Sequence, residues 1–239
     1  MSLVPKRRRG PELLDLPPEN YSQSELTGSL ADIRKVNRFL GDNHAILKFL
    51  SALVPSIAAA ERPVRVLDVA TGSADIPVAI VKWARKRGRK VAVTAVDVNP
   101  EVVREAAAFT RAYPEITVAR ADGFSLPYGD GSFDIVLSVK TLHHFSEEDT
   151  VRWLKELYRV AAAGYIIMDI RRSWVAWTLI TMLTRLFTRN RLTRYDGPLS
   201  VLRSYTDAEL KALAGRAGLS GCRVVRAPFW RIVVTGRKA

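Results

Sequence analysis

Val66-Leu67-Asp68-Val69-Ala70-Thr71-Gly72-Ser73-Ala74-Asp75-Ile76-Pro77 decides how the rest of this chain is read. From residue 64 it runs as a short apolar segment with the length and β-branched content of a buried strand. It then passes through a turn of small residues and takes up helical spacing from about residue 76 to 87. Gly72 is the only glycine of that turn, and a turn of small residues lets backbone approach a ligand closely. In open α/β sheets ligands bind beyond the carboxyl ends of the strands, near the switch point. Taken alone, a strand-to-helix turn with no function reads similarly.

Working outward, further strand signals stand at residues 91–98, 116–121, 133–139 and 165–170. Helical spacing falls between them at 100–113 and 147–162, with Pro100 in a favourable first-turn position. Strands alternating with helices, and lacking clean polar alternation, indicate a parallel sheet covered on both faces. After the fifth strand the rhythm breaks. Residues 171–205 read as an insertion, with one helix over 174–188 and an ordered loop over 196–203 leading back to the sheet. A helix at 207–217 follows, then two short strands at 222–226 and 231–235 that pair as a hairpin around Ala227-Pro228-Phe229-Trp230. Upstream, residues 24–54 read as two helices broken at Gly41-Asp42-Asn43, with Pro55 closing the second. The expected organisation is a flexible basic arm (1–23), a helical cap (24–60) and an α/β domain (61–239) carrying the 171–205 lid. Its fold class is a doubly wound, seven-stranded, mainly parallel sheet with an antiparallel last strand.

The chain has 37 lysines and arginines against 24 acids, a net charge of +13. Such an excess attracts polyanions, whether nucleic acid, anionic lipid or acidic substrates, although an arginine-rich soluble protein looks the same. The basic residues cluster at Lys6-Arg7-Arg8-Arg9, at 82–90 and at 185–203. Cys222 is the only cysteine, which rules out an intrachain disulfide and a multi-cysteine zinc site. No metal ligand set is read from the sequence. With no apolar stretch after the basic start and no run of about 18 apolar residues, a signal peptide and a membrane span are not expected, and the expected location is cytoplasmic.

Two further acids sit at successive strand ends. Asp97 closes the second strand, where a carboxylate can accept both hydroxyl hydrogens of a ribose. The alternative role of capping the helix at Pro100 falls better to Asn99. Asp122 follows the third strand, placed to accept adenine amino hydrogens while Phe124 packs on the ring. Three acids at three neighbouring strand ends are harder to explain as ordinary turns than any one of them. In LDVATGSADIP (67–77), AVDVNP (95–100), ADGFSLPYGDGSFDIVLS (121–138) and TLHHF (141–145) the chain resembles the class I S-adenosylmethionine-dependent methyltransferases, in particular their quinone-biosynthesis and natural-product branch. The resemblance implies S-adenosylmethionine as cofactor and S-adenosylhomocysteine as product. It assigns Asp68 to the loop and the methionine amino group, Gly72 to backbone access, Asp97 to ribose and Asp122 to the adenine amine. Ala70, Thr71, Asp75, Ile76, Val98, Gly123, Phe124 and Val139 complete the expected cofactor contacts. The family has glycine where Ala70 and Ala74 stand, which alanine replaces easily if φ is negative there. A nicotinamide dehydrogenase would want G-x-G-x-x-G at the loop, which this chain lacks.

For the acceptor, His143 and His144 follow the fourth strand, at the edge that faces the transferred methyl in this fold. A hydroxyl acceptor needs a base poised near neutrality. On an extended segment adjacent side chains point oppositely, so one of the two should face the pocket. His144 is preferred as the base, with His143 near the cofactor; packed polar residues are the bland alternative. The same region lacks the Asn/Asp-Pro-Pro-aromatic stretch of enzymes that methylate base amines, and Cys222 lies in the wrong region for a pyrimidine C5 mechanism. The lid offers Trp174, Trp177, Leu179, Ile180, Met182, Leu183, Leu186 and Phe187 beside Arg185, Arg189, Arg191 and Arg194. Apolar and basic together suit a greasy anionic or phenolic acceptor, or contact with a membrane surface. Arg171, Arg172, Tyr195, Arg203 and Tyr205 are the candidate acceptor contacts. The leading reading is O- or C-methylation of a small, largely apolar acceptor (a phenol, quinol or polyketide-like molecule). An RNA methyltransferase and a non-catalytic cofactor-binding protein stand as alternatives. Oligomeric state is not readable.

Overall fold

The computed structural model describes residues 4–54, 62–219 and 221–238; the expected helix stop at Pro55, the last residues of the cap and the first three of the arm lie outside the described residues. In chain order the elements are α1 (Gln23–Phe39), α2 (Asp42–Leu53), β1 (Val64–Val69), α3 (Asp75–Lys86), β2 (Val91–Asp97), α4 (Pro100–Thr110), β3 (Ile116–Arg120), β4 (Phe133–Val139), α5 (Glu147–Val160), β5 (Ala161–Ile170), α6 (Trp174–Phe187), α7 (Arg191–Arg203), α8 (Asp207–Arg216), β6 (Arg223–Ala227) and β7 (Arg231–Arg237).

The seven strands form one sheet in the order β3-β2-β1-β4-β5-β7-β6. β1 pairs in parallel with β2 and β4, while β7 runs antiparallel to both β5 and β6. Successive residues feed opposite cores. Leu67, Val136, Ile167 and Val234 pack with Trp153, Leu154 and Leu157 of α5 and with Leu210 and Leu213 of α8. Val66, Ile135, Ile166 and Val233 pack with Ile46 and Leu50 of α2 and with Ile80 of α3. Both faces are therefore dry, which is why the central strands carry no alternation of polar residues. The strand order reverses at β1, with β2 on one side and β4 on the other, so the carboxyl ends of these parallel strands open on one crevice.

Two expectations are corrected. The stretch 196–203 is not a loop but the second half of α7, which continues through Pro198. Gly197-Pro198 reads as a break, yet burial of Leu192, Val201 and Leu202 holds the helix, and a Cβ on Gly197 would stand 3.1 Å from Thr184 Cγ2, so the two lid helices touch there. Nor is the arm loose over residues 4–20. Arg7 donates to the carbonyls of Arg203 (2.6 Å) and Phe145 (2.8 Å) and lies over the Tyr205 ring. The N–H groups of Leu13 and Leu14 donate to Asp196 (2.7 and 3.3 Å). A long-range hydrogen-bonded strap of this kind leaves no periodicity for sequence reading to find.

Candidate active site

A cavity of about 710 Å³ lies over the carboxyl ends of the central strands, roofed by the strap, α1 and the lid helices. The β1 turn makes its floor. Ala70, Gly72 and Ala74 all take left-handed backbone, with φ of 58°, 55° and 56°. The condition set for easy alanine replacement is thus not met. Two alanines hold a conformation that costs an L-residue about 1–2 kcal/mol each, and the surrounding hydrogen bonds fix it. Thr71 N–H donates to Val96 O (2.9 Å) and Gly72 N–H to Asp97 Oδ2 (3.1 Å).

Asp68 is buried and accepts from Thr71 Oγ1 (2.7 Å); burial, with Asp75 and Asp97 nearby, pushes its carboxyl up to about 7. Thr71 is its one side-chain hydrogen-bond partner among the described residues, so a buried carboxylate here is short of a cation. Asp75, raised by burial, accepts from both Ser73 Oγ and Asn37 Nδ2 of α1. Asp97, also raised by burial, accepts the N–H groups of Gly72 and Asn99, and Asn99 caps α4 as expected. Asp122 is exposed and accepts Phe124 N–H (2.9 Å), while Phe124 packs edge-on against Phe145 and Trp153. Gly123 is required by space: a Cβ there would fall 2.2 Å from the Trp153 ring. Every one of the expected cofactor contacts, from Asp68 to Val139, lines this cavity.

The histidines differ from expectation. Residues Leu142–His144 form a single 3-10 turn, not an extended segment, so both rings face the cavity with centroids 4.3 Å apart. His143 Nδ1 lies 2.8 Å from Asp169 Oδ1, and its backbone N–H donates to Asp169 Oδ2 (2.9 Å). Burial would raise the Asp169 carboxyl, but His143 and two backbone N–H groups hold it below the usual range. His144 Nδ1 lies 2.6 Å from Asp15 of the strap. Burial opposes charge on His144, yet Asp15 and Glu12 outweigh it and raise its pKa. Each ring thus turns Nε2 inward, where a lone pair can take a proton or hold a cation.

None of the five proposed acceptor contacts lines the cavity. Arg171 points toward Asp207, and buried Arg172 is spent on Ser204 O and Glu209. Tyr205 is buried and bonds Thr150 and Phe145 O, and Tyr195 faces outward. Arg203 stands behind the histidine turn, donating to His143 O (3.1 Å), His144 O (2.9 Å) and Asp15 (2.7 Å). The cavity beyond the strand ends is lined instead by apolar residues such as Leu14, Leu26, Ile33, Ile180 and Leu183. Sequence reading also missed Lys140, which has φ of 57°, pairs with buried Asp42 (3.2 Å) and bonds Asn37; Arg231 pairs with the same Asp42. Asp42 had been visible only as part of a helix break.

Residues 66–164 match the methyltransferase domain family. The chain is 36% identical over 101 residues to the ubiquinone/menaquinone biosynthesis C-methyltransferase UbiE of Rickettsia akari, a match covering 40% of this chain and 39% of that protein. The chain therefore spans about two fifths of that relative's length. A SAM dependent methyltransferase from Aquifex aeolicus shares the fold with a TM-score of 0.60 at 21% identity, over 92% of this chain and 100% of that one. Human N-acetylserotonin methyltransferase does so with a TM-score of 0.64 at 18% identity, over 97% of this chain and 63% of that one. With the sheet order, the antiparallel β7 and the acids at the strand ends, residues 66–164 are a methyltransferase domain, and the chain has the fold of S-adenosylmethionine-dependent methyltransferases.

Proposed function

We propose that this protein transfers the methyl group of S-adenosylmethionine to an oxygen or carbon of a small, largely apolar acceptor such as a phenol or quinol. The observation that carries the reading is one continuous cavity with two chemically different ends. Asp68, Asp75, Asp97 and tight backbone line the strand-end part; apolar side chains of α1 and the lid helices, and two imidazoles with Glu12 and Asp15 against them, line the rest. The donor set fits the cofactor: buried Asp68 lacks the cation that an amino group would supply, and Asp97 and Asp122 stand at adjacent strand ends. Bound there, the cofactor supplies an electrophilic methyl group on a sulfonium. The chain's own part is alignment. The strained β1 turn and its hydrogen bonds to Asp97 hold one end, and entropy lost in advance by such positioning lowers the barrier. His143 and His144 activate the acceptor. The cations lining the cavity, Lys140 and Arg231, are both paired with Asp42, so neither is left for the phosphates of an RNA.

A membrane surface as the source of the acceptor draws support from α6. Val175, Leu179, Met182 and Leu186 form an exposed stripe at helical spacing, followed by Phe187, 77% exposed. No acid occurs between residues 171 and 195, and Arg185 and Arg189 stand beside the stripe. Leu179 also lines the cavity, so lipid and acceptor pocket would share a helix.

The test is a screen of alkyl phenols and quinols with isotopically labelled S-adenosylmethionine, with and without anionic vesicles. Labelled product is expected, reduced at least tenfold in both His143→Ala and His144→Ala. No product with any such acceptor, or product unaffected by both substitutions, overturns the reading.

A further inference from the structure

We infer that Glu12, His143 and His144 form a binding site for a divalent transition-metal ion, and that this ion holds the oxygen of the acceptor. The inference rests on the proposed placement of the acceptor at this end of the cavity. Each of the three residues offers one ligand atom, and these atoms all lie within 4.8 Å of one another. Glu12 Oε1 stands 3.5 Å from His143 Nε2, and Glu12 Oε2 stands 3.9 Å from His144 Nε2. Ligands at about 2.0–2.2 Å from one tetrahedral ion are separated by roughly 3.3–3.5 Å. With all three ligand atoms within 4.8 Å of one another, inward shifts of up to about an ångström, shared by Glu12 and the histidine turn, close the site on one ion.

The surroundings are those of a metal centre rather than of a simple ion pair. Both imidazoles have their Nδ1 atoms engaged by carboxylates, Asp169 at 2.8 Å and Asp15 at 2.6 Å. That arrangement fixes the tautomer and leaves each Nε2 lone pair aimed at the third ligand, as outer-shell carboxylates do for metal-bound histidines. Glu12 is buried and is itself oriented by Ser200 Oγ, which donates to Oε1 (2.9 Å). Neither Nε2 makes a hydrogen bond among the described residues; each has only the longer approach to Glu12. Three carboxylates, Glu12, Asp15 and Asp169, surround the pair against the single guanidinium of Arg203, an excess of negative charge that a dication neutralises.

Two imidazoles and one carboxylate select zinc, iron(II), cobalt or manganese over magnesium and calcium, which prefer all-oxygen sites. All three ligand residues line the cavity, so the remaining coordination positions open toward the acceptor. A phenol or quinol is the class that fits: its oxygen binds the ion in ionised form, the hydroxyl proton passing to water. The two ends of the site then bring an anionic nucleophile toward a cationic methyl donor.

The test uses the full chain without an affinity tag, stripped with chelator and titrated with Zn²⁺ by calorimetry and with Co²⁺ by visible absorption. One ion per chain is expected, with the absorption bands of a nitrogen- and oxygen-ligated Co²⁺. Glu12→Gln and His143→Ala should each weaken binding at least tenfold, while His44→Ala, an exposed histidine on α2, leaves it unchanged. Circular dichroism and S-adenosylhomocysteine binding verify that the variants are folded. Failure of the stripped protein to bind Zn²⁺ or Co²⁺, or binding that survives both substitutions, overturns the inference. Product formation in excess chelator would do the same while leaving the proposed methyl transfer intact.

Discussion

The two ends of the cavity are built by different means. At the adenosyl end the polar contacts are mostly short in sequence or run between neighbouring strands: Thr71 to Asp68, Asn99 to Asp97, Phe124 to Asp122, and Gly72 to Asp97. At the histidine end they cross the chain. Asp15 meets His144 and Arg203, Glu12 meets Ser200, and Arg7 meets Phe145. The first end is built mainly within the units that follow β1, β2 and β3, with Asn37 of α1 added on Asp75; the other exists only when the strap, α1 and α7 have docked. The first should therefore tolerate loss of the second.

The largest expected effect comes from breaking the docked end. Arg203 is buried and holds both histidine carbonyls and Asp15. Removing one partner of a buried ion pair costs about 3–5 kcal/mol, so Arg203→Ala should lower Tm by roughly 10 °C. S-adenosylhomocysteine affinity in the variant, measured well below its Tm, should change less than threefold. An equal loss at both ends would show that they are not separable. Asp97→Ala breaks the other end. It removes a carboxylate that organises Gly72 and faces the cavity, and cofactor affinity should fall by about two to three orders of magnitude. Histidine-dependent binding of Co²⁺ should survive it.

A smaller effect follows from the buried Asp68, whose carboxyl sits up at about 7. An acid raised in the folded state holds its proton between its ordinary pKa and about pH 7. A ligand amino group that pairs with the carboxylate must first displace that proton. Cofactor affinity should thus rise by about tenfold per unit as pH climbs toward 7, then level off. The apo-protein should lose stability over the same interval, since the unfolded chain ionises Asp68 more readily. Calorimetric affinities that agree at about pH 5.5 and 7.5 would mean that Asp68 is already ionised in the free protein.

The same contrast explains what was legible. Strand ends carry sequence signals because burial demands apolar runs, and any acid left at their tips stands out. Asp68, Asp97 and Asp122 stand out that way; the parallel sheet follows from the alternation of strands and helices, and the antiparallel β7 from the close spacing of the last two strands. The strap gave no such signal. Glu12 and Asp15 sit among prolines and arginines, and their roles depend on partners some 130 to 190 residues away. The lid misled for a related reason. Its arginines suggested anion contacts, but a buried guanidinium among free carbonyls is consumed by them, as in Arg172 and Arg203. Gly197-Pro198 suggested a loop, and packing against α6 overrode it.

The smallest effect probes strain at the adenosyl end. Ala70 and Ala74 both hold positive φ, so glycine at either removes a cost of about 1–2 kcal/mol. It also adds about 0.4–1 kcal/mol of unfolded-state entropy. Ala70 is half-buried, and Ala70→Gly should be net stabilising by about 0.5 kcal/mol, a rise in Tm of roughly 1–2 °C. Ala74 is fully buried against Ala95 and Ala106. Losing its methyl forfeits about 0.8 kcal/mol of burial, and Ala74→Gly should bring no gain. The pair of measurements separates backbone strain from packing within one turn: if Ala70→Gly lowers Tm, the left-handed conformation at residue 70 is not a burden on the fold.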